Sequence, residues 1–574
     1  MKWQGSKLYK FARTLSLVPA LALMGLLGAG LAWGLVQSFG YFPALGLEEW
    51  TLRYYQAIFA DPRLRESLAF SFKVAASSAL LSLLVGILLS TLVLAFRQSK
   101  HHLLHLTIGI PHIVIAFLVR GLFSQVGLFS RLVGSLGGIP QAGNFPLLIQ
   151  DPHGWGIILA YVLKQAPYVM SVTYILLQRA DTAYYDLGRS LGAKPGQIFW
   201  RVTLPQARQA LFSAFLILLA FDFGAYELPF LLGATLPRML AVQSQLAFSE
   251  TDLALRPQAM AYTMLLALCG ILLVLASLLL YRLLWGSNRP ISSDGAQVNE
   301  MTPPLSRPPA GIGRKLIYGL ALAWPILSLL VLMVYAFFRR WPWPDLLPHQ
   351  PSLQAFAELF KGQNLRILGF SLRLSLLAAL LATLIALPVA KLLTQGNFRG
   401  RKLLEAIFLL PLLVPSTAYY IGLHVLFMQW GIHDSILAVL LAHAIVILPY
   451  CIFSLAAFWQ PFADYYTTAG YSLGASRWQA FWRIDLPLLA PGLAAVLGLG
   501  FIISFGQYFL TLMVGGGRVK TFALVLVPYM ASSNRALAAA SSLVFVIICG
   551  AIYSLCRLHL GVRRKINLRQ KGLL

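Results

Sequence analysis

The sequence has few charged residues, and acidic residues are the scarcest of them. Only 11% of its 574 residues are charged and 58% are hydrophobic, whereas a soluble domain carries about 25% charged residues. Asp and Glu together number 19, against 45 Lys and Arg. This composition excludes an ordinary soluble enzyme or binding domain and indicates a membrane protein.

Cysteine is also scarce, and its placement excludes two kinds of site. The four cysteines lie in or beside apolar stretches, at spacings that fit neither a disulfide framework nor a zinc site. They are Cys269, Cys451, Cys549 and Cys556. His424 and His443 also lie in apolar runs, where a lone histidine is more typical of a hydrogen-bonded packing residue than of a ligand. The sequence therefore predicts no metal site.

Long apolar runs, by contrast, are abundant. A helix needs roughly 20 apolar residues to cross a bilayer, and we identify twelve candidate spans. They lie near 15–37, 69–96, 103–125, 155–178, 208–235, 259–285, 313–337, 369–394, 403–429, 434–459, 488–514 and 538–560. The predicted fold class is an all-α polytopic membrane protein of about twelve transmembrane helices.

The net charge of +26 is explained by topology better than by nucleic acid, because no basic helix or recognition motif is present. Cytoplasmic loops of membrane proteins are enriched in Lys and Arg. Alternation of the spans from a cytoplasmic N-terminus places the basic loops and tail inside, at Arg97, Lys100, Arg399, Arg401, Lys402, Arg563, Arg564, Lys565, Arg569 and Lys571. Arg339 and Arg340 fall outside and run against the rule. We predict that both termini are cytoplasmic.

Two polar segments on the predicted cytoplasmic side are near copies of each other. The first, residues 186–205, reads DLGRSLGAKPGQIFWRVTLP, and the second, residues 468–487, reads TAGYSLGASRWQAFWRIDLP. Both place Ser-Leu-Gly-Ala, an aromatic-Trp-Arg triplet and Leu-Pro at the same spacing. Polar loops usually vary freely, so this repetition indicates that something docks there twice. We call these segments the first and second docking loops.

The repetition extends to whole halves of the chain. Phe70-Ser71-Phe72-Lys73 matches Phe370-Ser371-Leu372-Arg373 at an offset of 300, and the docking loops match at an offset of 282. We predict a first six-helix repeat at 1–285, a flexible cytoplasmic linker at 286–313 and a second repeat at 314–574. Each repeat has an even number of spans, so the two share one orientation.

The docking loops resemble the EAA motif of permease subunits in bacterial ABC importers, Glu-Ala-Ala-x3-Gly-x9-Ile-x-Leu-Pro. The chain is similar over both halves to the fused double permeases of type I importers, the group that includes iron(III), thiamine and polyamine systems. The Gly and Leu-Pro positions of the motif match in both loops. The first loop has Asp186 in place of the motif's Glu, and the second has Thr468, which is not acidic. The positions carried over are Asp186, Gly188, Gly192, Leu204 and Pro205, then Thr468, Gly470, Gly474, Leu486 and Pro487.

The resemblance implies that each loop docks a cytosolic ATPase subunit and that a periplasmic or extracellular substrate-binding protein delivers the substrate. The implied location is the bacterial inner membrane. Residues 515–521, GGGRVKT, approach a phosphate-binding loop but have Val519 where that motif needs glycine. We therefore expect no enzyme activity and no cofactor on this chain, with ATP and Mg²⁺ bound by the partner ATPases.

The span after each docking loop carries a second matched pair with the shared pattern Phe-Gly-x-Tyr. Glycine weakens a helix and permits a bend, and carboxylates within a membrane are costly and face an interior or a watery cavity. The candidate residues of a translocation path are Asp222, Gly224, Tyr226, Glu227, Ser504, Gly506 and Tyr508. Acidic residues on the path favour a cationic substrate such as iron, thiamine or a polyamine. The alternative is that both acids pair locally, with Lys164 or a helix end, for structure alone.

Two further functions fit part of this pattern. A secondary transporter can also have twelve spans in two parallel repeats, but it has no partner that needs two docking loops. A membrane enzyme would need a cluster of catalytic side chains on the cytoplasmic face, and we find none. The sequence favours the permease of an ATP-driven importer.

Overall fold

A computed structural model describes residues 7–96, 109–179, 187–286, 312–395, 398–459, 465–532 and 534–570. Nearly every ordered element within these ranges is a helix. Two strands, Phe338–Arg340 and His349–Pro351, form a short antiparallel hairpin in which Phe338 pairs with Pro351. The predicted all-α polytopic architecture is confirmed.

Ten helices in the described part of the chain are long and apolar enough to cross a membrane. They are Ser16–Ser38, Pro62–Leu94, His112–Ser135, Gly196–Gly224, Leu253–Leu284, Lys315–Phe337, Gly362–Thr394, Ile436–Trp459, Trp478–Phe505 and Arg535–Cys556. A bent pair, Arg401–Leu412 and Ser416–Gln429, meets at 93° and makes an eleventh if it forms one span.

The remaining predicted span, 155–178, coincides with the helix Trp155–Arg179, which is not among these ten. This helix carries Lys164 and Gln165 at its centre, and the two polar side chains lower its apolar character. The helix Trp155–Arg179 is therefore long enough to cross a membrane, although it is less apolar than the ten spans above.

Two predicted spans are each broken into two helices. The predicted span 208–235 consists of Leu204–Gly224 followed by Glu227–Leu232. Its counterpart, 488–514, consists of Leu486–Phe505 followed by Phe509–Gly515. Both breaks fall within the Phe-Gly-x-Tyr pattern, because the chain leaves the helix at the glycine, where helix propensity is weak.

Shorter helical elements lie between the spans or form their ends. They are Pro43–Leu45, Arg53–Ala60, Leu128–Ser135, Ala142–Asn144, Leu240–Phe248, Leu253–Leu255, Gln354–Leu359 and Phe522–Ala531. The elements Leu128–Ser135 and Ala142–Asn144 have no counterpart among the described elements of the second half. They occupy the stretch that is longer in the first half, where the sequence offset falls from 300 to 282.

One compact unit combines described parts of Met1–Ile58, Ser244–Met264 and Ser352–Leu574. Its first helix, Lys7–Ser38, packs on Ser416–Gln429. The first helix of the chain thus belongs to a unit built mainly from the second half of the sequence.

The other compact unit combines described parts of Phe59–Gln243 and Leu265–Pro351. Here the helix Ile312–Phe337 packs on His112–Phe123, where Gly121 leaves room for the side chain of Val331. The buried guanidinium of Arg131 donates to the carbonyl oxygen of Trp341 over 2.7 Å and so fastens the hairpin to this unit. The unit built mainly from the second half of the sequence thus contains the first long helix of the first half. The unit built mainly from the first half contains the first long helix of the second half.

A matched hydrogen bond in each unit supports the repeat offsets. In one unit the hydroxyl of Ser71 accepts from the backbone N–H of Leu240 over 2.7 Å. In the other, Ser371 accepts from Phe522 over the same distance. Both the serines and their donors are counterparts at the offsets that the sequence repeat shows, so the two halves build the same local contact.

Candidate functional site

The first docking loop is a short helix, a tight turn and a wide helical turn that leads into a long helix. Asp186 lies outside the described residues, and residues 187–190 are helical. Gly192 follows with φ of +78°, in the left-handed region that glycine adopts without strain. The helix Pro195–Ile198 then continues as a π-helix, Phe199–Thr203.

The second docking loop repeats this path element for element. The helix Tyr465–Ser472 contains Thr468 and Gly470, and Gly474 follows with φ of +84°. The helix Arg477–Ala480 and the π-helix Phe481–Asp485 come next, each at the repeat offset from its counterpart in the first loop. Such π-turns are rare and are frequently found at functional sites.

The Leu-Pro pair begins the long helix in both halves. Leu204 and Leu486 are first residues, so Pro205 and Pro487 stand in the first turn. Proline is tolerated there because the first N–H groups of a helix have no partner within it. The sequence pattern and the local structure therefore agree at this position.

Two glycines of the docking loops are packing positions. A Cβ atom on Gly188 would lie 3.1 Å from the Cγ1 atom of Ile198, and one on Gly470 would collide with the Cδ1 atom of Ile484. Each glycine thus lets the helix before the turn, the first arm of the loop, lie against the helical segment after the turn, the second arm. Gly192 and Gly474 have open space around the Cβ position, so their role is conformational.

Both docking loops expose large apolar side chains at matched positions. Leu191 is 78% exposed and its counterpart Leu473 is 89% exposed; Trp200 and its counterpart Trp482 are 64% and 48% exposed. The second loop adds Trp478, which is 71% exposed and packs edge-on against Trp482 with ring centroids 5.4 Å apart. Clustered exposed apolar side chains typically mark an interaction surface.

The second docking loop is also tied to the long helices by charge. The Lys391 ammonium lies 2.7 Å from one carboxylate oxygen of Asp485, and the other oxygen accepts from the Thr467 hydroxyl over 2.7 Å. Sequence reasoning missed this contact. A lysine near the end of an apolar run and an acid inside Ile-Asp-Leu-Pro are the signals that could have indicated it.

The broken helix of the first half carries a buried carboxylate. Asp222 is 0% exposed. One of its oxygens accepts from the hydroxyl of Ser78 over 2.7 Å, and the other accepts from the side-chain amide of Gln165. The carboxylate thus joins three helices of one unit, Pro62–Phe96, Trp155–Arg179 and Leu204–Gly224.

Glu227 occupies a different environment on the far side of the break. Its side chain is 18% exposed, and one carboxylate oxygen lies 3.8 Å from the Nδ1 atom of His112, itself 26% exposed. Tyr226 is buried and stacks on Phe230 with ring centroids 5.0 Å apart. The structure therefore places the two acids that the sequence grouped together in different surroundings, because Asp222 is fully enclosed and Glu227 is partly exposed.

The second half builds a neutral network at the matching break. The Nδ1 atom of His443 lies 2.8 Å from the Ser504 hydroxyl, and its Nε2 atom lies 3.0 Å from the Thr511 hydroxyl. Ser504 precedes the break and Thr511 follows it, so His443 holds both sides. Gly506 ends the first helix, and the side chain of Tyr508 is buried. Among the described residues no group of three or more His, Cys, Asp or Glu could hold a metal ion.

Comparison with known proteins gives a family match over most of the chain. The family described as binding-protein-dependent transport system inner membrane component matches residues 101–285 and again 313–562. The chain is 25% identical over 521 residues to the inner membrane ABC transporter permease protein YnjC of Escherichia coli (strain K12), covering 90% of this chain and 91% of YnjC.

Two further relatives carry substrate names. The thiamine transport system permease protein ThiP of Haemophilus influenzae is 23% identical and covers 87% of this chain and 89% of ThiP. The sulfate transport system permease protein CysT of Escherichia coli (strain K12) is 28% identical and covers 31% of this chain and 71% of CysT. Relatives at this similarity thus differ in their named substrates.

Proposed function

Because this chain belongs to the family of binding-protein-dependent transport system inner membrane components, we propose that it is the permease subunit of an ATP-driven importer in which both docking loops couple the membrane helices to cytosolic ATPases. Family membership makes it a multi-pass membrane transport protein. The paired loops carry the coupling proposal, since the same short helix, left-handed glycine and π-turn recur in both halves of the chain.

The proposed partners are two cytosolic ABC ATPase subunits and one substrate-binding protein outside the membrane. Each docking loop offers an exposed leucine and an exposed tryptophan at matched positions. Tryptophan in particular is an effective anchor in a partner's groove. ATP and Mg²⁺ would be bound on the partners. We propose that both termini are cytoplasmic, which places the basic loops on the side favoured by the positive-inside rule.

The proposed translocation path follows the two broken helices. Gly224 and Gly506 supply the breaks, and Tyr226, Tyr508 and Ser504 border them. We propose that Glu227 is the acid that meets the substrate, since its carboxylate is partly exposed. Asp222, which is enclosed and hydrogen-bonded on both oxygens, would instead hold the break in place.

A cationic substrate is the proposed class, on the strength of Glu227 alone. The relative named for thiamine transport matches along most of its length. The relative named for sulfate transport matches 31% of this chain, so similarity leaves the substrate open. A charged acid on the path attracts cations and repels sulfate.

Purification of the chain with and without an ABC ATPase from the same organism tests the function. We expect no ATP hydrolysis by the chain alone and vanadate-sensitive hydrolysis by the complex in lipid nanodiscs. Transport driven by an ion gradient, without any bound ATPase, would instead support the secondary transporter.

A further inference from the structure

We propose that Lys391 and Asp485 form a positioning link between the second docking loop and the membrane helices, and that the first half of the chain lacks this link. The proposal rests on the docking function proposed above and adds an asymmetry to it: the two halves receive the motion of the ATPases through different contacts.

The link joins both arms of the second docking loop to one helix. Asp485 closes the π-turn in the second arm, and Thr467 lies in the first arm, on the helix Tyr465–Ser472. Their side chains bond to each other, and Lys391 of the helix Gly362–Gln395 completes the group over 2.7 Å. One carboxylate therefore connects both arms of the loop to this helix.

Aromatic rings enclose the ammonium group. The Lys391 Nζ atom lies 5.3 Å from the centroid of the Trp459 ring and 5.7 Å from that of Phe481. Trp459 ends the helix Ile436–Trp459, so the end of a second long helix joins the group. A cation near aromatic faces gains further attraction. The two rings therefore help to hold the Lys391 ammonium beside Asp485.

Burial makes it costly to remove one partner of this ion pair. The side chain of Asp485 is 2% exposed and that of Lys391 is 32% exposed. Water screens such a pair less than a surface pair. Buried ion pairs are often no more stabilising than apolar substitutes, but removing one partner leaves an uncompensated charge. The pair therefore favours the arrangement of the loop in which both charges are compensated.

The first half has no charge at the corresponding positions. An offset of 300 places Thr91 at the position of Lys391, and an offset of 282 places Thr203 at that of Asp485 and Leu177 at that of Trp459. The Thr91 hydroxyl donates to the carbonyl oxygen of Leu88 within its own helix over 2.7 Å. The first half therefore cannot form the same ion pair at these positions.

Hydrogen–deuterium exchange on the whole complex tests the link. The full chain with its ATPases is measured in nanodiscs, nucleotide-free and after trapping with Mg-ATP and vanadate. We expect Lys391→Met and Asp485→Asn to reduce the nucleotide-induced change in exchange over 362–395 at least threefold, while two ATPase subunits stay bound. The response over 62–96 in the first half should stay within 1.5-fold of wild type.

Lys391→Arg keeps the charge and should retain at least half of the response. If Lys391 acted only by filling space, the charge would not matter and Lys391→Arg would have no advantage over Lys391→Met. Thr91→Val and Thr203→Val are the matched first-half controls and should change neither response by more than 1.5-fold. A wild-type response over 362–395 in both Lys391→Met and Asp485→Asn would overturn the proposal.

If a single variant does not assemble, the double variant Lys391→Met with Asp485→Asn removes both charges and leaves no lone buried ion. A full nucleotide response in the double variant also overturns the link, and a lost response supports it. Wild-type chain that binds no ATPase would contradict the docking function itself, which separates the two failures.

Discussion

Gly30 and Gly422 meet backbone to backbone, so that a Cβ atom on Gly30 would lie 2.9 Å from the backbone N of Leu423 and 3.0 Å from the carbonyl carbon of Gly422. Both residues belong to the same compact unit. Small residues permit such close approach between membrane helices. This contact makes the first helix of the chain part of the unit that the second half builds.

Replacing Gly30 with leucine should destabilise the purified chain by about 1–3 kcal/mol, the usual cost of overpacking a tight contact. Thermal unfolding in detergent measures the loss. Gly28→Leu is the matched control, because Gly28 lies on the same helix, is exposed and has open space at its Cβ position. Equal melting temperatures for the two variants would contradict the close packing.

Expression of residues 1–285 and 314–574 as separate chains should give a complex that copurifies and retains part of the transport activity. The linker is rich in Pro, Ser and Gly and has little apolar surface to bury, while Lys7–Ser38 packs on a helix of the second half. Either half expressed alone should be degraded faster. Halves that insert but never copurify would show that the linker does more than join them.

The left-handed glycines of the docking loops supply a test of coupling. Gly192→Ala and Gly474→Ala force a side chain into a backbone conformation that costs roughly 1–2 kcal/mol. We expect at least a fivefold fall in ATP hydrolysis by the complex, with normal membrane insertion. Gly196 also lies in the first loop and has open space at its Cβ position, but its backbone is not left-handed. The control Gly196→Ala should therefore have little effect. Wild-type hydrolysis in the double variant of Gly192 and Gly474 would count against coupling through these turns.

The two acids near the first break should respond differently to neutralisation. Asp222→Asn replaces one of the two accepting oxygens with an NH2 donor, so the hydrogen bond from Ser78 or from Gln165 is lost or reversed, and a lost hydrogen bond costs about 0.5–1.5 kcal/mol. Thermal unfolding should therefore detect Asp222→Asn.

Glu227→Gln keeps the size of the side chain and removes its charge. We expect it to lower uptake of a cationic substrate several-fold while stability stays within about 0.5 kcal/mol of wild type, the range usual for substitutions away from buried networks. Full uptake by Glu227→Gln would remove the argument for a cation.

The sequence predicted the membrane class, most spans and the matched loops, because hydropathy and repetition are local patterns that a single chain displays. It did not predict which helices pack together. The repeat pattern suggests that each half packs on itself. The contact between Gly30 and Gly422 instead joins the first half to the second, and it depends on packing between residues far apart in the chain.

Side-chain partners were also beyond the sequence. The Phe-Gly-x-Tyr pattern indicated a bend, and each helix does end at that glycine or one residue before it. The different surroundings of Asp222 and Glu227 follow from Ser78 and Gln165, which lie on other helices. The domain boundaries at 285 and 314 and the roles of the site residues stay predictions.

Native mass spectrometry of the complex released from nanodiscs tests the central claim most directly, since we propose that each of the two docking loops binds one ATPase subunit. We predict one permease chain with two ABC ATPase subunits. The exposed tryptophans of both loops should be required, so that Trp200→Ala or Trp482→Ala weakens retention of one subunit. A wild-type complex with a single ATPase per chain, or with none, would contradict the account.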